Sequence, residues 1–189
     1  TMERSIVAVN KNIEKEYKML LTKQQYEKLF ELLEAGQPIC QTNHYFDTVD
    51  HHVRRKAGAM RIREINNTYI FTLKARKNSD TAAEYEMPVS SCSIEELSRP
   101  EIKKLLGEIG VEGPLLQVGQ LMTWRSVIKT ENAEICLDKN IYRDRIDYEI
   151  EYEYKKEHDG LRIFQDILAK VSLHYERNCL SKIARALGY

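Results

Sequence analysis

The sequence has no Cys-x-x-Cys pair. Its four cysteines, Cys40, Cys92, Cys136 and Cys179, lie far apart, a pattern that fits reduced thiols in a cytoplasmic protein and argues against a disulfide framework. Net charge is also missing, because 29 Lys and Arg balance 29 Asp and Glu. No overall field therefore advertises nucleic acid or an anionic membrane. No long apolar run or signal-peptide pattern is visible, so neither a membrane span nor secretion is expected. Internal repeats, low-complexity tracts and linkers are absent as well. At 189 residues the chain has one domain's length, enough to build a core without staples.

What the chain does have is charge, at 31% of residues, above the ordinary share of a globular protein. Much of it falls at spacing two. Glu14, Glu16 and Lys18 alternate with Ile13, Lys15 and Tyr17, and side chains two apart on a strand share a face. Strand-like runs are read at 6–21, 39–48, 58–65, 68–76, 82–88, 115–129, 132–138 and 141–154. Thr22 and Gln25 have capping-box spacing ahead of a helical stripe ending near Gly36, and Ser93 with Glu96 gives a second box. Pro100 opens a helix through Leu106, Asp159–Leu173 has an amphipathic spacing, and Ser181–Leu187 closes the chain. Asn66-Asn67 marks a tight turn, and the segment from 49 to Lys56 reads as a polar link. Strands in adjacent pairs with helices between groups of them favour an antiparallel α+β fold.

The alternation recurs. Arg61 and Arg63 flank Ile62, Thr72 and Lys74 flank Leu73, and Glu84 and Glu86 flank Tyr85. Glu149, Glu151 and Glu153 alternate with Ile150 and Tyr152, Arg125 follows the only tryptophan, and Asp138 ends Ile135-Cys-Leu-Asp. For one stripe alone, the plain reading is the wet face of an antiparallel sheet. Two features weigh against it here. The intervening residues are mostly apolar or aromatic, so both faces are specified, and the signs segregate by strand. Like charges facing each other destabilise a sheet. A ligand combining metal ions with phosphates would neutralise both signs, since carboxylates suit Mg²⁺ or Mn²⁺ and Arg and Lys suit phosphate oxygens. A closed barrel of about eight strands has room inside for side chains or one small ligand.

These residues resemble the CYTH superfamily, also called triphosphate tunnel metalloenzymes. The pattern runs in order from Glu14-x-Glu16-x-Lys18 through Tyr45-Phe-Asp-Thr48, Met60-Arg-Ile-Arg63, Thr72-Leu-Lys74 and Glu84-Tyr-Glu86. It continues with Arg125, Leu137-Asp138, Glu149-Ile-Glu151 and Ser181-Lys182. Length and the sequence around Tyr45 and Tyr148 are similar to the bacterial YjbK-like branch. The resemblance implies an eight-stranded antiparallel β-barrel, a triphosphate tunnel with helices packed outside, formed by residues 1–189 as one CYTH-like domain. It also implies metal-dependent chemistry on inorganic, thiamine or nucleoside triphosphates.

Carried over by position, Glu14 and Glu16 would hold a metal, and Asp138, Glu149 and Glu151 with Glu84 or Glu86 would complete metal binding. Lys18, Arg61, Arg63, Lys74, Arg125 and Lys182 would bind phosphate oxygens. Glu16, Lys18, Glu149 and Glu151 would carry the catalysis, with the last two positioning the attacking water. Ala82 replaces an Arg that family members often have, and Glu153 leaves two registers open for the late glutamate pair. The expected partner is a small-molecule triphosphate, with Mg²⁺ or Mn²⁺, no nucleic acid and no membrane; a homodimer stays open. The alternatives are a class IV adenylyl cyclase and a non-catalytic polyphosphate- or nucleotide-binding module. His44, His51, His52, His158 and His174 lack ligand spacing, Cys136 and Cys179 read as buried thiols, and Asp47 reads as a turn-fixing residue.

Overall fold

Alternating sequences pair into strands, and here the pairing closes on itself. The computed structural model describes residues 8–188. It contains β1 (Asn10–Leu21), α1 (Lys23–Leu32), β2 (Ile39–Thr48), α2 (His52–Lys56), β3 (Gly58–Ile65), β4 (Thr68–Arg76) and β5 (Thr81–Val89). A 3₁₀ turn at Ile94–Ser98, α3 (Pro100–Ile109), β6 (Leu115–Lys129), β7 (Ala133–Ile141), β8 (Ile146–Tyr154), α4 (Gly160–Ala169) and α5 (Lys182–Leu187) complete it. The strands form a closed barrel in the order β1-β5-β4-β3-β2-β6-β7-β8, antiparallel throughout. Closure removes the unpaired edges that an open sheet would have to protect.

Register decides which side chains enter the barrel. Directly opposed residues share a face, and the pairs Glu14↔Ala82, Lys74↔Glu84, Arg61↔Thr72 and Asn43↔Arg63 carry one face from β1 to β2. The pairs Gln41↔Thr123, Arg125↔Asp138, Asp138↔Glu149 and Lys18↔Glu151 return it to β1. Every stripe singled out from the sequence therefore lies on the inner face.

The outer face is apolar and covered in two places. Tyr17, Leu21, Ile135, Leu137, Ile150 and Tyr152 pack with Leu29 of α1 and with Phe164, Ile167 and Leu168 of α4. Met60, Ile62, Phe71, Leu73 and Met87 pack under Val53 of α2, Leu97 of the 3₁₀ turn and Ile102, Leu105 and Leu106 of α3. Burying such side chains contributes about 1.5–3 kcal/mol each, so the outer face holds the barrel shut while the inner face stays polar.

The fifth helix is placed differently. Ile183 packs on the inner-face residues Tyr45 and Leu121, with Ala59 and Leu187 beside them. Gly119 makes room for it: a Cβ there would come within 2.6 Å of the Leu187 side chain. A helix inserted against the inner wall partly closes the barrel and delivers its own side chains to the interior.

Several local expectations change. The link after Thr48 is not all loop, because Asp47 accepts from the backbone N–H groups of Thr48, Val53 and Arg54 and so starts α2. The run 141–154 breaks at a turn closed by Tyr142 N–H donating to Arg145 O at 2.8 Å. The left-handed residue after α1 is Glu34, at φ 50°, rather than Gly36. Ser93 caps the 3₁₀ turn, but Glu96 accepts from Ser91 instead of completing a box. The Thr22–Gln25 box forms in full, and Asn66 and Asn67 both have positive φ, as a two-residue hairpin turn requires. Residues 6 and 7 of the first expected strand lie outside the described residues.

Candidate active site

One wall of the interior, formed by β7, β8 and α5, is dense with ion pairs, although the buried Tyr142 hydroxyl and Arg185 Nη2 make no well-directed hydrogen bond there. Asp138, Glu149 and Glu151 bring carboxylate oxygens within 4.8 Å of one another, and Asp138 and Glu149 are fully buried. Lys182, the first residue of α5, reaches all three, at 2.9 Å from Asp138 and 2.5 Å from Glu151, with Glu149 closer still. Arg125 donates through two nitrogens to Asp138 at 2.8 and 2.6 Å and to Glu151 at 2.9 Å. Arg185, one turn further along α5, pairs with Asp147 at 2.8 Å and Glu149 at 2.9 Å. Asn140 donates to both of those carboxylates.

Burial by itself disfavours charge on Glu151, but Lys182, Arg125 and Lys18 overcome it and hold its carboxyl well below the usual range. Asp138 behaves likewise under Arg125 and Lys182. The same pairing, against the burial penalty, holds the Lys182 ammonium and the Arg125 guanidinium firmly protonated.

A second acidic group lies on β1 and β5. Burial pushes Glu16 up, yet Lys18 at 3.3 Å and Lys74 at 2.9 Å bring it down to about 2. Glu14 moves the other way, to about 7, through burial and a hydrogen bond with Glu84. Glu84 is also 3.9 Å from Arg61. Glu86 faces the same interior opposite Thr72 and takes part in no ion pair among the described residues. Glu153 is opposite Glu16 and pairs with Lys155 at 2.9 Å, outside the three-carboxylate cluster. Geometry thus groups Glu149 with Glu151.

The opposite wall, on β2 and β3, has donors without acceptors. Arg63 Nε donates to Asn43 Oδ1 at 2.9 Å, and no carboxylate lies within ion-pair distance of Arg63 among the described residues. Burial and the neighbouring Arg61 and Arg125 cations push its guanidinium down to about 9, which leaves it charged at neutral pH. Arg61 Nε, Asn43 Nδ2 and Gln41 Nε2 are buried with no hydrogen-bond partner. Buried donors are normally satisfied, and leaving one bare costs about 1–3 kcal/mol.

An open cavity of about 640 Å³ enters the barrel beside the β1 carboxylates. It is lined by Glu14, Glu16, Lys18 and Lys74, by Arg54, Arg76 and Arg177 at its mouth, and by Ser181, Ile183 and Ala184 of α5. Arg76 is opposite Ala82 on the inner face, where the often-present family Arg is missing.

Sequence reasoning missed Gln41, Asn43, Asn140, Asp147 and Arg185. Neutral amides carry no charge stripe, and Arg185 reads as an ordinary residue at a helix end. Tyr45 is on the inner face and Tyr148 is outside against Tyr26. Cys136 is buried inside opposite Glu151, with its thiol pushed up to about 12 by burial, whereas Cys179 is only half-buried.

The chain belongs to the CYTH domain family, whose model matches residues 12–186. Among its relatives, YjbK of Bacillus subtilis (strain 168), by name a candidate triphosphatase, is 31% identical over 182 residues, covering 94% of this chain and 95% of that one. A crystal structure from Bacillus halodurans, described as a candidate adenylate cyclase, is 30% identical with a TM-score of 0.81, covering 93% of this chain and 97% of that one. A Hippeastrum protein described as a candidate adenylyl cyclase with dominant triphosphatase activity shares the fold at 22% identity and a TM-score of 0.72, covering 91% and 93%. Among the described residues, no helix is long and apolar enough to cross a membrane.

Proposed function

We propose that the chain is a divalent-metal-dependent triphosphatase that hydrolyses inorganic triphosphate or an organic triphosphate within the barrel. The observation that carries this reading is the asymmetry of the interior. Carboxylates on one side already hold cations, while on the other Arg63 has only the Asn43 amide oxygen, and Arg61 Nε, Asn43 Nδ2 and Gln41 Nε2 have no acceptor. A polyphosphate anion supplies acceptors for the second wall.

The acidic groups fit a hard cation. Asp138, Glu149 and Glu151 offer only oxygen donors at short mutual distance, the set that Mg²⁺ and Mn²⁺ prefer. The Lys182 ammonium held by all three is a positive charge already in that position. Glu14 and Glu16 line the cavity and offer further carboxylate oxygens there, with Glu84 hydrogen bonded to Glu14. A bound metal neutralises phosphate charge and acidifies a bound water.

The protein's own residues do the remaining work. Arg61 and Arg63 hold phosphate oxygens, and the Asn43 and Gln41 amides add neutral donors. Lys18 and Lys74 fix the Glu16 carboxylate, and their ammonium groups border the cavity where the phosphate chain enters. Glu149 and Glu151 position a water for in-line attack on the terminal phosphorus. The new P–O bond forms as the bond to the bridging oxygen breaks, and the shortened phosphate leaves with the electron pair. Such a transfer depends mostly on positioning and charge neutralisation. We assign the activity to residues 1–189 as one domain acting in the cytoplasm, in keeping with four free thiols.

The test is a panel of tripolyphosphate, thiamine triphosphate and ATP with Mg²⁺ or Mn²⁺, read for orthophosphate and cyclic AMP. Orthophosphate release that needs metal supports the proposal. Cyclic AMP from ATP as the main product would make the protein a cyclase. Tight triphosphate binding with no turnover under either metal would make it a binding module.

A further inference from the structure

Outside the tunnel, three residues of different chemistry meet on the barrel's outer wall. His44 lies on β2 and Glu64 on β3, on neighbouring strands but not directly opposed, since His44 pairs with Ile62 and Thr42 with Glu64. Cys92 comes from the segment between β5 and the 3₁₀ turn and packs at the rim of the apolar cluster that includes Phe46 and Ile62. One ligand atom from each lies within 4.8 Å of the others. We propose that His44, Glu64 and Cys92 form a zinc-class divalent metal site on the outer wall, separate from the triphosphate tunnel.

The donor set indicates the metal. One imidazole nitrogen, one thiolate and one carboxylate make a borderline-soft set that Mg²⁺ avoids and Zn²⁺ accepts. Tetrahedral zinc, with bonds of about 2.0–2.3 Å, sets its donors about 3.3–3.7 Å apart. His44 Nε2 and Glu64 Oε2 are already 3.3 Å apart. Three protein ligands leave a fourth position for water or an exogenous ligand.

The surroundings are built for such a site. His44 is buried and Glu64 and Cys92 are half-buried, so the metal would be shielded yet reachable. Gln117 Nε2 lies 3.4 Å from His44 Nδ1. With that amide turned over, at the loss of its long 3.5 Å donation to Gly119 O, its oxygen would accept from His44 Nδ1–H and leave His44 Nε2 as the ligand atom, the usual outer support of a metal-bound histidine. The Glu64 charge also raises the Tyr69 phenol, to which it is hydrogen bonded. The segment bearing Cys92 is pinned, because Ser91 Oγ accepts from Ser93 N–H and donates to Glu96, which Arg99 holds at 2.6 Å. Charge balances: neutral imidazole, carboxylate and thiolate meet a dication, and the thiol proton leaves to solvent. Metal there would tie the segment after β5 to the wall of β2 and β3.

Co²⁺ is the probe, added to the metal-depleted full-length protein. The expected result is one equivalent giving thiolate-to-cobalt charge-transfer absorption, with Zn²⁺ displacing it. Cys92→Ser and His44→Gln abolish that band, whereas Asp138→Asn in the tunnel keeps it. Gln117→Leu keeps the band but weakens affinity by about 10–100-fold. Circular dichroism checks that each variant is folded, and Zn²⁺ protection of Cys92 from alkylation, mapped by mass spectrometry, gives a second reading on the unmutated protein. A wild-type protein without a thiolate band, a band unchanged in Cys92→Ser, or Cys92 alkylation indifferent to Zn²⁺ would overturn the proposal.

Discussion

The two walls of the barrel interior make opposite uses of buried charge. On β7, β8 and α5, each carboxylate of the Asp138, Glu149 and Glu151 group has a cation against it, and Lys182 touches all three. On β2 and β3, Arg63 has only an amide oxygen, and three further donors have nothing. Breaking a buried ion pair costs about 3–5 kcal/mol because it strands a charge. The first wall is therefore committed to structure as well as chemistry. The second carries donors whose cost an acceptor-rich ligand such as a polyphosphate would relieve. Strain of that kind is informative, because folding alone gives no reason to keep it.

That contrast can be tested by mutation. The largest expected effect is Glu16→Gln, which removes a carboxylate beside the cavity and should lower metal-dependent phosphate release by about 10³-fold with the fold intact, as steady-state assays and circular dichroism would show. Asp138→Asn should cost about 3–5 kcal/mol in denaturant unfolding, because Arg125 and Lys182 lose a shared partner. Arg63→Ala should lower kcat/KM by about 10–100-fold yet leave the ligand-free melting temperature unchanged or higher, because it removes an uncompensated cation. Equal destabilisation by the two variants would erase the difference between the walls.

A smaller effect concerns pH. The folded protein holds the Glu14 proton up to about 7, against about 4.5 for an ordinary glutamate. Its contribution to metal-free stability is full below about 4.5 and is lost as pH rises through about 7, up to about 3 kcal/mol in all. Divalent metal competes with that proton, so metal affinity should climb over the same window. Glu14→Gln should flatten both profiles, measured by thermal unfolding at several pH values with and without Mg²⁺. Asn43→Ala should have the mildest effect, a few-fold rise in KM from the loss of one neutral donor.

The eight strands were legible from charge stripes at spacing two with specified residues between them, and the resemblance to the CYTH family is what pointed those stripes inward. Register in the closed barrel puts Glu14, Glu16, Arg61, Arg63, Asp138 and Glu151 on that one face. Their division into two walls was not legible, since it depends on which strands end up across the barrel from each other. Lys182 shows the limit most clearly. The resemblance marks it as a phosphate ligand; the structure adds that its ammonium also contacts Asp138, Glu149 and Glu151, which the sequence did not show. Gln41 and Asn43 had no sequence signal, and His44, Glu64 and Cys92 come from three segments whose meeting only the closed barrel produces.

The most direct measurement is calorimetric binding of a non-hydrolysable triphosphate analogue, with and without Mg²⁺, to the wild type, Arg63→Ala and Asp138→Asn. Division of labour between the walls predicts that Arg63→Ala weakens binding in both conditions, while Asp138→Asn removes only the increment that Mg²⁺ adds. Binding that Arg63→Ala leaves untouched, or that Asp138→Asn weakens equally without metal, would contradict it.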